Sequence, residues 1–130
     1  DGKERIINGD IDLNGDTLKA KLLTSSYTPA VTHSTVSDLT NECADSDYSE
    51  ATIGGAAVTE TSGTVTFDCN DITYGSNVTI TAKYAVIYSD THASDGLICY
   101  VDLNTSGGSV SSTSGTFTVV INNSGVFTVA

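Results

Sequence analysis

The stretch that decides the fold is VTITAKYAVIY, residues 78–88. Its apolar side chains recur at every second position, which is the period of a β-strand. They are Val78, Ile80, Ala82, Tyr84, Val86 and Tyr88. Ala85 and Ile87 make the opposite face apolar as well in the second half of the stretch. We therefore predict one continuous strand that is covered on both faces at one end, either centrally in a sandwich or against a partner.

Further segments on both sides of this stretch have strand patterns. Residues 17–23, 56–60, 63–69 and 97–103 are predicted as strands, and residues 116–122 and 126–130 as a terminal hairpin around a turn at 123–125. Polar segments between them are predicted as loops at 24–34, 43–55, 89–96 and 104–115. The loop 104–115 is rich in Ser and Gly, so we expect it to be mobile.

One short segment has a helical signature instead. Residues 35–42 combine a capping box of Thr35 and Asp38 with Val36 and Leu39 facing inward. The chain is otherwise rich in strand and turn formers, since 36 of its 130 residues are Ser or Thr and 12 are Gly. These patterns predict an all-β, single-domain antiparallel β-sandwich or β-barrel with one short helix, spanning residues 1–130.

The charge of the chain restricts its partners. Sixteen acidic residues against five basic ones give a formal net charge of -11. Such a surface repels phosphate, so we expect no nucleic-acid partner and no anionic membrane, whereas a basic protein surface would attract it. No apolar run approaches the roughly 20 residues of a membrane helix, and no signal peptide is visible.

Three cysteines lie at Cys43, Cys69 and Cys99. An odd number without a CxxC pair does not indicate a secreted disulfide framework, a zinc site or a redox motif. Cys69 and Cys99 alternate with apolar neighbours, so we predict buried free thiols, which fit assembly in a reducing cytoplasm. One disulfide with one free cysteine is the alternative.

A weak calcium pattern occurs in DIDLNGD, residues 10–16. Asp10, Asp12, Asn14 and Asp16 occupy positions 1, 3, 5 and 7 of a calcium loop, with a glycine at position 6. However, the closing position is Lys21 where a bidentate Glu is needed, and a strand pattern follows where a helix is needed. We therefore predict a hairpin turn with Asn14-Gly15 at its tip, and no metal or other cofactor.

No catalytic constellation stands out, so we predict that the chain is not an enzyme and has no catalytic residues. His33 and His92 are the two histidines, and no G-x-S-x-G elbow accompanies them. Asp90, His92 and Asp95 are a weak metal candidate, but their segment favours a turn. A hydrolase remains an alternative only because Ser, His and Asp are all present.

Loop tyrosines are the remaining candidates for a functional surface. Tyr27 lies near Pro29 in the loop 24–34, and Tyr48 lies in the acidic loop 43–55. Exposed tyrosine favours protein contacts because it adds apolar area and a hydroxyl at low entropic cost. We predict Tyr27, Pro29 and Tyr48 as interface residues, with Tyr27 folded over the edge of the core as the alternative.

Several stretches, taken in order, resemble a family of small virion proteins of tailed bacteriophages. They are DTLKAKLLTSSYTP at 16–29, His33, LTNEC at 39–43, ITAKYAVIYSDT at 80–91, GLICYVDL at 96–103 and GTFTVVINNSGVFTV at 115–129. Asn122 stands where the family pattern has an aromatic residue, and the three cysteines are not part of that pattern. The family's helical lead-in would precede residue 1.

The resemblance implies a non-enzymatic structural component of the virion, most similar to capsid decoration (cement) proteins. It implies a homotrimer that binds the major capsid protein on the outer capsid surface, after assembly in the host bacterial cytoplasm. A tail, neck or fibre-base subunit is the first alternative. A calcium-dependent binding module or adhesin is the second, and it predicts that chelation lowers the melting temperature.

Overall fold

The structure is a computed structural model that describes residues 2–130. The predicted all-β fold with antiparallel sheets is confirmed, since 44% of the residues are in strands and 8% in helices. The described elements are α1 (Gly2–Asn8), β1 (Leu18–Leu23), a 3-10 helix (Val36–Asp38), β2 (Ala51–Thr52), β3 (Ala57–Thr61), β4 (Thr64–Asp68), β5 (Ile72–Ala82), β6 (Tyr84–Ser89), β7 (Gly96–Asp102), β8 (Val110–Val119) and β9 (Phe127–Val129).

The described strands form three antiparallel sheets. A four-stranded sheet has the order β2-β1-β6-β7, a three-stranded sheet has the order β3-β4-β9, and β5 pairs with β8 in a two-stranded sheet. Side chains from all three sheets meet in one main core. Its most deeply buried members include Leu18, Leu22 and Ile87 of the four-stranded sheet, Phe67 of the three-stranded sheet and Ile80 of the two-stranded sheet.

The predicted continuous strand 78–88 is in fact two strands that belong to different sheets. The chain leaves β5 and enters β6 at Lys83, whose N–H donates to the Leu23 carbonyl while its own carbonyl accepts from Leu103. Lys83 thus adds one residue between the strands, and the alternation changes phase. Ile80 and Ala82 face the main core before it, but Ala85 and Ile87 do so after it.

The prediction that residues 78–88 place one set of even-numbered side chains on a single face is therefore wrong. Val86 and Tyr88 lie in a second cluster on the other side of the four-stranded sheet. The prediction that the second half is covered on both faces is confirmed, because residues 85–89 are all buried and β6 is a central strand.

The N-terminal region differs from the prediction. Residues Gly2–Asn8 form α1, which the sequence patterns did not indicate, and so no strand precedes Asn14-Gly15 to form a hairpin. Residues 12–16 do form a turn, in which the N–H groups of Gly15 and Asp16 donate to the Asp12 carbonyl. The predicted helix at 35–42 is reduced to the 3-10 turn Val36–Asp38, and the predicted capping box of Thr35 and Asp38 is present.

The C-terminal third also requires two corrections. The predicted mobile loop 104–115 ends early, because residues from Val110 onward belong to β8 and pair with β5. The predicted terminal hairpin is wrong, because β8 pairs with β5 whereas β9 pairs with β4. The turn at 123–125 exists, and Gly125 adopts a φ of 88° there, but it sends the chain to another sheet.

A smaller correction concerns residues 43–55, predicted as a loop only. Ala51 and Thr52 form the edge strand β2, where Thr52 is opposite Lys19 and Ala51 opposite Ala20. The pairing covers the first half of the β1 edge. Residues 41–43 cover the second half, because Cys43 N–H donates to the Leu22 carbonyl and Glu42 forms a bridge to Leu23.

Candidate interaction surface

The outer face of the four-stranded sheet, opposite the main core, contains a charged half and an apolar half. Register explains the pattern, since Lys19 lies opposite Tyr88, Lys21 opposite Val86 and Leu23 opposite Tyr84. The charged half is formed by Lys19 and Lys21 with carboxylates from the loops. The apolar half is formed by Leu23, Tyr27, Val86, Tyr88 and Leu97, with Val36, Leu39 and Tyr84 packed against them.

Glu50 joins the two lysines of the charged half. Its carboxylate oxygens lie 3.3 Å from Lys19 Nζ and 2.7 Å from Lys21 Nζ, and the Tyr88 hydroxyl donates to it at 2.8 Å. Partial burial opposes ionisation of Glu50, but the hydrogen bonds from Lys21 and Tyr88 outweigh it and lower its pKa to about 2. Lys19 also pairs with Asp90 and Lys21 with Glu42, so both lysines of the charged half are already occupied by carboxylates of the same chain.

The apolar half is open to solvent along one groove, which we call the tyrosine groove. Its volume is about 320 Å³. It is lined by Gly2, Lys3, Tyr27, Pro29, Ala30, Val31, His33, Val86, Leu97, Ile98, Cys99 and Tyr100. The groove lies between the start of α1 and the loop 24–34, above β7. Two of its large apolar side chains are well exposed, Val31 at 95% and Tyr100 at 55% of their surface.

Tyr27 lies in this groove but is not an exposed residue. Only 4% of its surface is accessible, so the expectation of an exposed contact residue is wrong and the alternative of a tyrosine folded over the core edge is correct. Its hydroxyl lies 2.8 Å from Nδ1 of His33, in a hydrogen bond whose donor depends on the imidazole tautomer. Its ring packs edge-on against Tyr84 at 5.8 Å. Tyr27 is therefore the floor of the groove, and the half-buried Pro29 belongs to its wall.

Tyr48 is far from this groove and serves the fold. Its ring stacks on Tyr74 at 6.1 Å, its hydroxyl accepts from Leu22 N–H at 3.0 Å, and it donates to Glu42 at 2.8 Å. Burial raises the pKa of the phenol, although the Leu22 hydrogen bond opposes the shift. The Tyr48 hydroxyl thus uses both its donor and its acceptor function within the protein. The prediction of Tyr48 as an interface residue therefore has no structural support.

Several groove residues were not singled out from the sequence, among them Lys3, Val31 and Tyr100. A signal existed for Tyr100, because the segment 97–103 is apolar on both faces although its strand lies at a sheet edge. Val31 is a single apolar residue in a polar loop, and Lys3 belongs to a helix that was not predicted. Only the fold brings these three distant segments together.

The calcium candidates are occupied by internal hydrogen bonds. Asp12 Oδ1 accepts from Asn14 N–H at 2.9 Å, Asn14 Oδ1 accepts from Val58 N–H at 2.7 Å, and Asp16 Oδ2 accepts from the Ser89 hydroxyl at 2.6 Å. Asp10 lies exposed beyond them. Within residues 2–130 no group of three or more His, Cys, Asp or Glu side chains is arranged to hold a metal ion. That includes Asp90, His92 and Asp95.

The histidines and cysteines have structural surroundings. His92 Nδ1 accepts from Ser94 N–H at 3.2 Å within the turn 89–96. The three cysteines are free thiols, as predicted, with Cys43 and Cys69 buried and Cys99 half-buried. Burial raises the pKa of Cys43 and Cys69 to about 11 and that of Cys99 to about 12. Thiols with such values are protonated at neutral pH and are poor nucleophiles.

Of the candidates predicted from the sequence, the loop that contains Tyr27 and Pro29 is the one that borders an open surface, the tyrosine groove. None of the helices in residues 2–130 has both the length and the apolar content needed to cross a bilayer. Comparison with known proteins adds no relative, because no protein-family model, no curated protein and no solved structure matches this chain.

Proposed function

We propose that this chain is a non-enzymatic structural protein of a bacteriophage virion, namely a decoration protein that binds and stabilises the assembled head. The proposal is carried by the ordered resemblance of residues 16–29, 80–91 and 96–103 to that family. Those stretches contain β1, β6 and β7, which are adjacent strands of one sheet. The same sheet bears the tyrosine groove, so the resembling segments supply part of the candidate surface.

The character of the groove supports a protein partner. Val31 and Tyr100 are exposed apolar side chains above a floor that contains the buried Tyr27, Val86 and Leu97. An exposed tyrosine over a desolvated floor is typical of an interface anchor. The lining contains no Asp or Glu, and Lys3 is its one Lys or Arg residue, although the chain as a whole has a net charge of -11.

The mechanism we propose is mass action. A protein that binds the assembled shell but not its separated subunits stabilises the shell by RT ln(1 + [L]/Kd), which is about 2.7 kcal/mol per site at a hundredfold excess over Kd. Decoration proteins that bind on the symmetry axes of a shell are closed oligomers. We therefore propose that this chain forms a homotrimer. The acidic remainder of the surface would keep decorated particles apart and in solution.

The test is reconstitution on heads that lack the protein. Purified protein is added to such heads, and we measure co-sedimentation and the temperature at which the heads release their DNA or dissociate. We expect saturable binding and a higher transition temperature. Tyr100→Ser and Val31→Ser should weaken binding at least tenfold, whereas Val129→Ser, on an exposed valine of β9 outside the groove, should not.

Different outcomes separate the alternatives. Absence of binding and of heat stabilisation contradicts the decoration role. Localisation of the protein to the tail or neck in a cryo-EM map of the virion would instead support the first alternative. A melting temperature of the isolated protein that falls on chelation and recovers with calcium would support a calcium-dependent binding module.

A further inference from the structure

A second groove lies between β7 and β8, on a different part of the molecule from the tyrosine groove. Its volume is about 460 Å³. It is lined by Val101, Asp102, Leu103, Val110, Ser111, Thr116, Phe117, Thr118, Val119 and Val120. Residues 101–103 and 116–120 are consecutive. Successive side chains of a strand point to opposite faces, so a groove bordered by consecutive residues runs along the strand edge and not across a face. We call it the edge groove.

The strands on either side of it are both terminal strands of their sheets. β7 ends the four-stranded sheet, and β8 is paired only with β5 in the two-stranded sheet. A strand edge exposes unpaired N–H and C=O groups, and proteins commonly protect it. Residues of both strands border one groove, so a strand added there would lie beside both edges.

Other strand edges of residues 2–130 are protected in part by side chains or are short. The outer edge of β5 is capped by acidic side chains, because Thr79 N–H donates to Asp47 at 2.9 Å and Thr81 N–H to Asp45 at 3.2 Å. On β3, Val58 N–H donates to the Asn14 side chain at 2.7 Å. The edge strands β2 and β9 have only two and three residues.

The first part of β7 is protected as well. Gly2 at the start of α1 lies so close to the backbone carbonyls of Leu97 and Ile98 that a Cβ on it would collide with them. α1 therefore covers the beginning of the β7 edge, and residues 101–103 at its end border the edge groove. These contacts hinder strand addition at parts of the other edges, whereas the end of β7 and the strand β8 border an open groove.

The groove also offers side-chain selectivity. Phe117 and Val119 are buried and form part of the main core, and Leu103 and Val110 pack against that core. Ser111 and Thr116 are exposed. An extended segment in the groove would therefore place every second side chain against an apolar wall and the intervening ones in solvent.

The charge of the chain indicates which class of partner the edge groove would bind. The lining contains one charged residue, Asp102, which pairs with Lys83 at 2.7 Å. Lys19, Lys21 and Lys83 are all paired with carboxylates, and the net charge is -11. A second copy of this chain would carry the same excess of negative charge and be repelled, whereas a basic segment would be attracted.

We infer that the edge groove binds, as an added β-strand, an extended basic segment of another protein in which apolar side chains alternate with lysine or arginine. The segment would lie between β7 and β8 and would join the four-stranded and two-stranded sheets through main-chain hydrogen bonds. This inference goes beyond the proposed virion role and does not depend on it, because it uses only the open edges and the charge of the chain.

The test uses two octapeptides with blocked ends, one alternating Lys and Val and one alternating Glu and Val. Binding to the purified protein is measured by fluorescence anisotropy at low and high salt, and the contact is located by amide hydrogen exchange. We expect the Lys-Val peptide to bind at least tenfold more tightly than the Glu-Val peptide. It should also protect the amides of residues 101–103 and 110–120.

Matched variants separate this groove from general charge attraction. Val120→Lys introduces a positive charge at an exposed lining residue and should weaken Lys-Val binding at least fivefold, whereas Val129→Lys on β9 should not. Thr116→Glu adds a negative charge to the lining and should tighten binding, whereas Thr128→Glu on β9 should have less effect. All four residues are exposed, and thermal melts check that each variant is folded.

Several results would overturn the inference. They are equal binding of both peptides, equal effects of groove and control variants, protection centred on the tyrosine groove, and no saturable binding at millimolar peptide. Protection of the same edge on raising the protein concentration alone, with dimer formation, would identify a second copy as the occupant. The reconstitution on heads is a separate measurement, so failure of either proposal is recognisable independently of the other.

Discussion

The two faces of the four-stranded sheet are built from the same strands but are stabilised in different ways. On the inner face, Leu18, Ala20 and Leu22 of β1 are at most 1% exposed and join a core to which all three sheets contribute. On the outer face, the intervening Lys19 and Lys21 form ion pairs, and Leu23 packs under a loop. Regular sheets cover one face, and irregular segments cover the other.

The inner face of the sheet mainly stabilises the fold, whereas the outer face contains the candidate tyrosine groove. The inner face is covered by the strands of the other two sheets, whose side chains fill the main core. The outer face is covered by Tyr27, Val36 and Leu39 of the loop segments and by Glu50, and the tyrosine groove stays open beside β7. Binding surfaces commonly lie on loops supported by a rigid scaffold, and here β1, β6 and β7 are that scaffold.

The largest expected effect compares neighbouring leucines on the two faces. Leu22→Ala and Leu23→Ala each remove a side chain with 0% exposure, and such truncations cost about 2–5 kcal/mol. We expect the larger loss for Leu22, because the outer cluster is smaller and its loop cover can collapse into the space. Urea unfolding of both variants measures the difference. A larger loss for Leu23 would show that the outer cluster is the more rigidly packed core.

The next effect concerns acid stability and the charged half of the outer face. The pKa of Glu50 is lowered from 4.5 to about 2, so its ion pairs contribute fully above about pH 4.5 and are lost as pH falls towards 2. After allowance for partial exposure, we expect a loss of about 1–2 kcal/mol in that window. The unfolding free energy is measured as a function of pH. In Glu50→Gln it should fall less between about pH 4.5 and pH 2, whereas Asp10→Asn, at an exposed site, should behave like the parent protein.

A smaller effect is expected from the floor of the tyrosine groove. Tyr27→Phe removes the hydroxyl that is hydrogen-bonded to His33 and should cost about 0.5–1.5 kcal/mol. Tyr100→Phe is the matched control on the exposed rim and should change stability by less than about 0.5 kcal/mol. Unfolding free energies are measured by chemical denaturation. If both variants lose the same amount, the Tyr27 hydroxyl contributes no more to stability than the exposed Tyr100 hydroxyl.

The smallest effect on stability belongs to the most exposed rim residue. Val31 is 95% exposed, so Val31→Ser should leave the unfolding free energy within about 0.5 kcal/mol of the parent. Any loss of partner binding in this variant is then a loss of contact and not of folding. A destabilisation above about 1 kcal/mol would instead assign Val31 to the packed structure and remove it from the candidate interface.

Prediction of the candidate surface from sequence was partial. Tyr27 and Pro29 were expected at an interface and do line the groove, but Tyr27 is its buried floor and Tyr48 lies elsewhere. Lys3, Val31 and Tyr100 come from three segments that are distant along the chain. A pattern within one segment reports which face is apolar, but not which loop will cover it.

The sequence by itself determined the class of fold and most strand positions. Alternation over residues 17–23 and 63–69 corresponds closely to β1 and β4, because a half-buried strand needs side chains of alternating character. The free thiols and the doubly covered strand β6 also followed from local composition. These features depend on neighbours along the chain.

Only the tertiary structure decided the partners of the strands. Residues 110–115 look like a flexible linker, yet they pair with β5, where the Thr81 and Ser111 hydroxyls are 2.9 Å apart and the Ser112 hydroxyl donates to the Val78 carbonyl. Lys83 likewise divides an apparently uniform strand because its backbone groups bond to the four-stranded sheet on both sides. Strand pairing joins residues that are far apart in sequence, so no local pattern specifies it. The edge groove arises from that pairing, and the tyrosine groove arises from the packing of α1 and the loop 24–34 over β7.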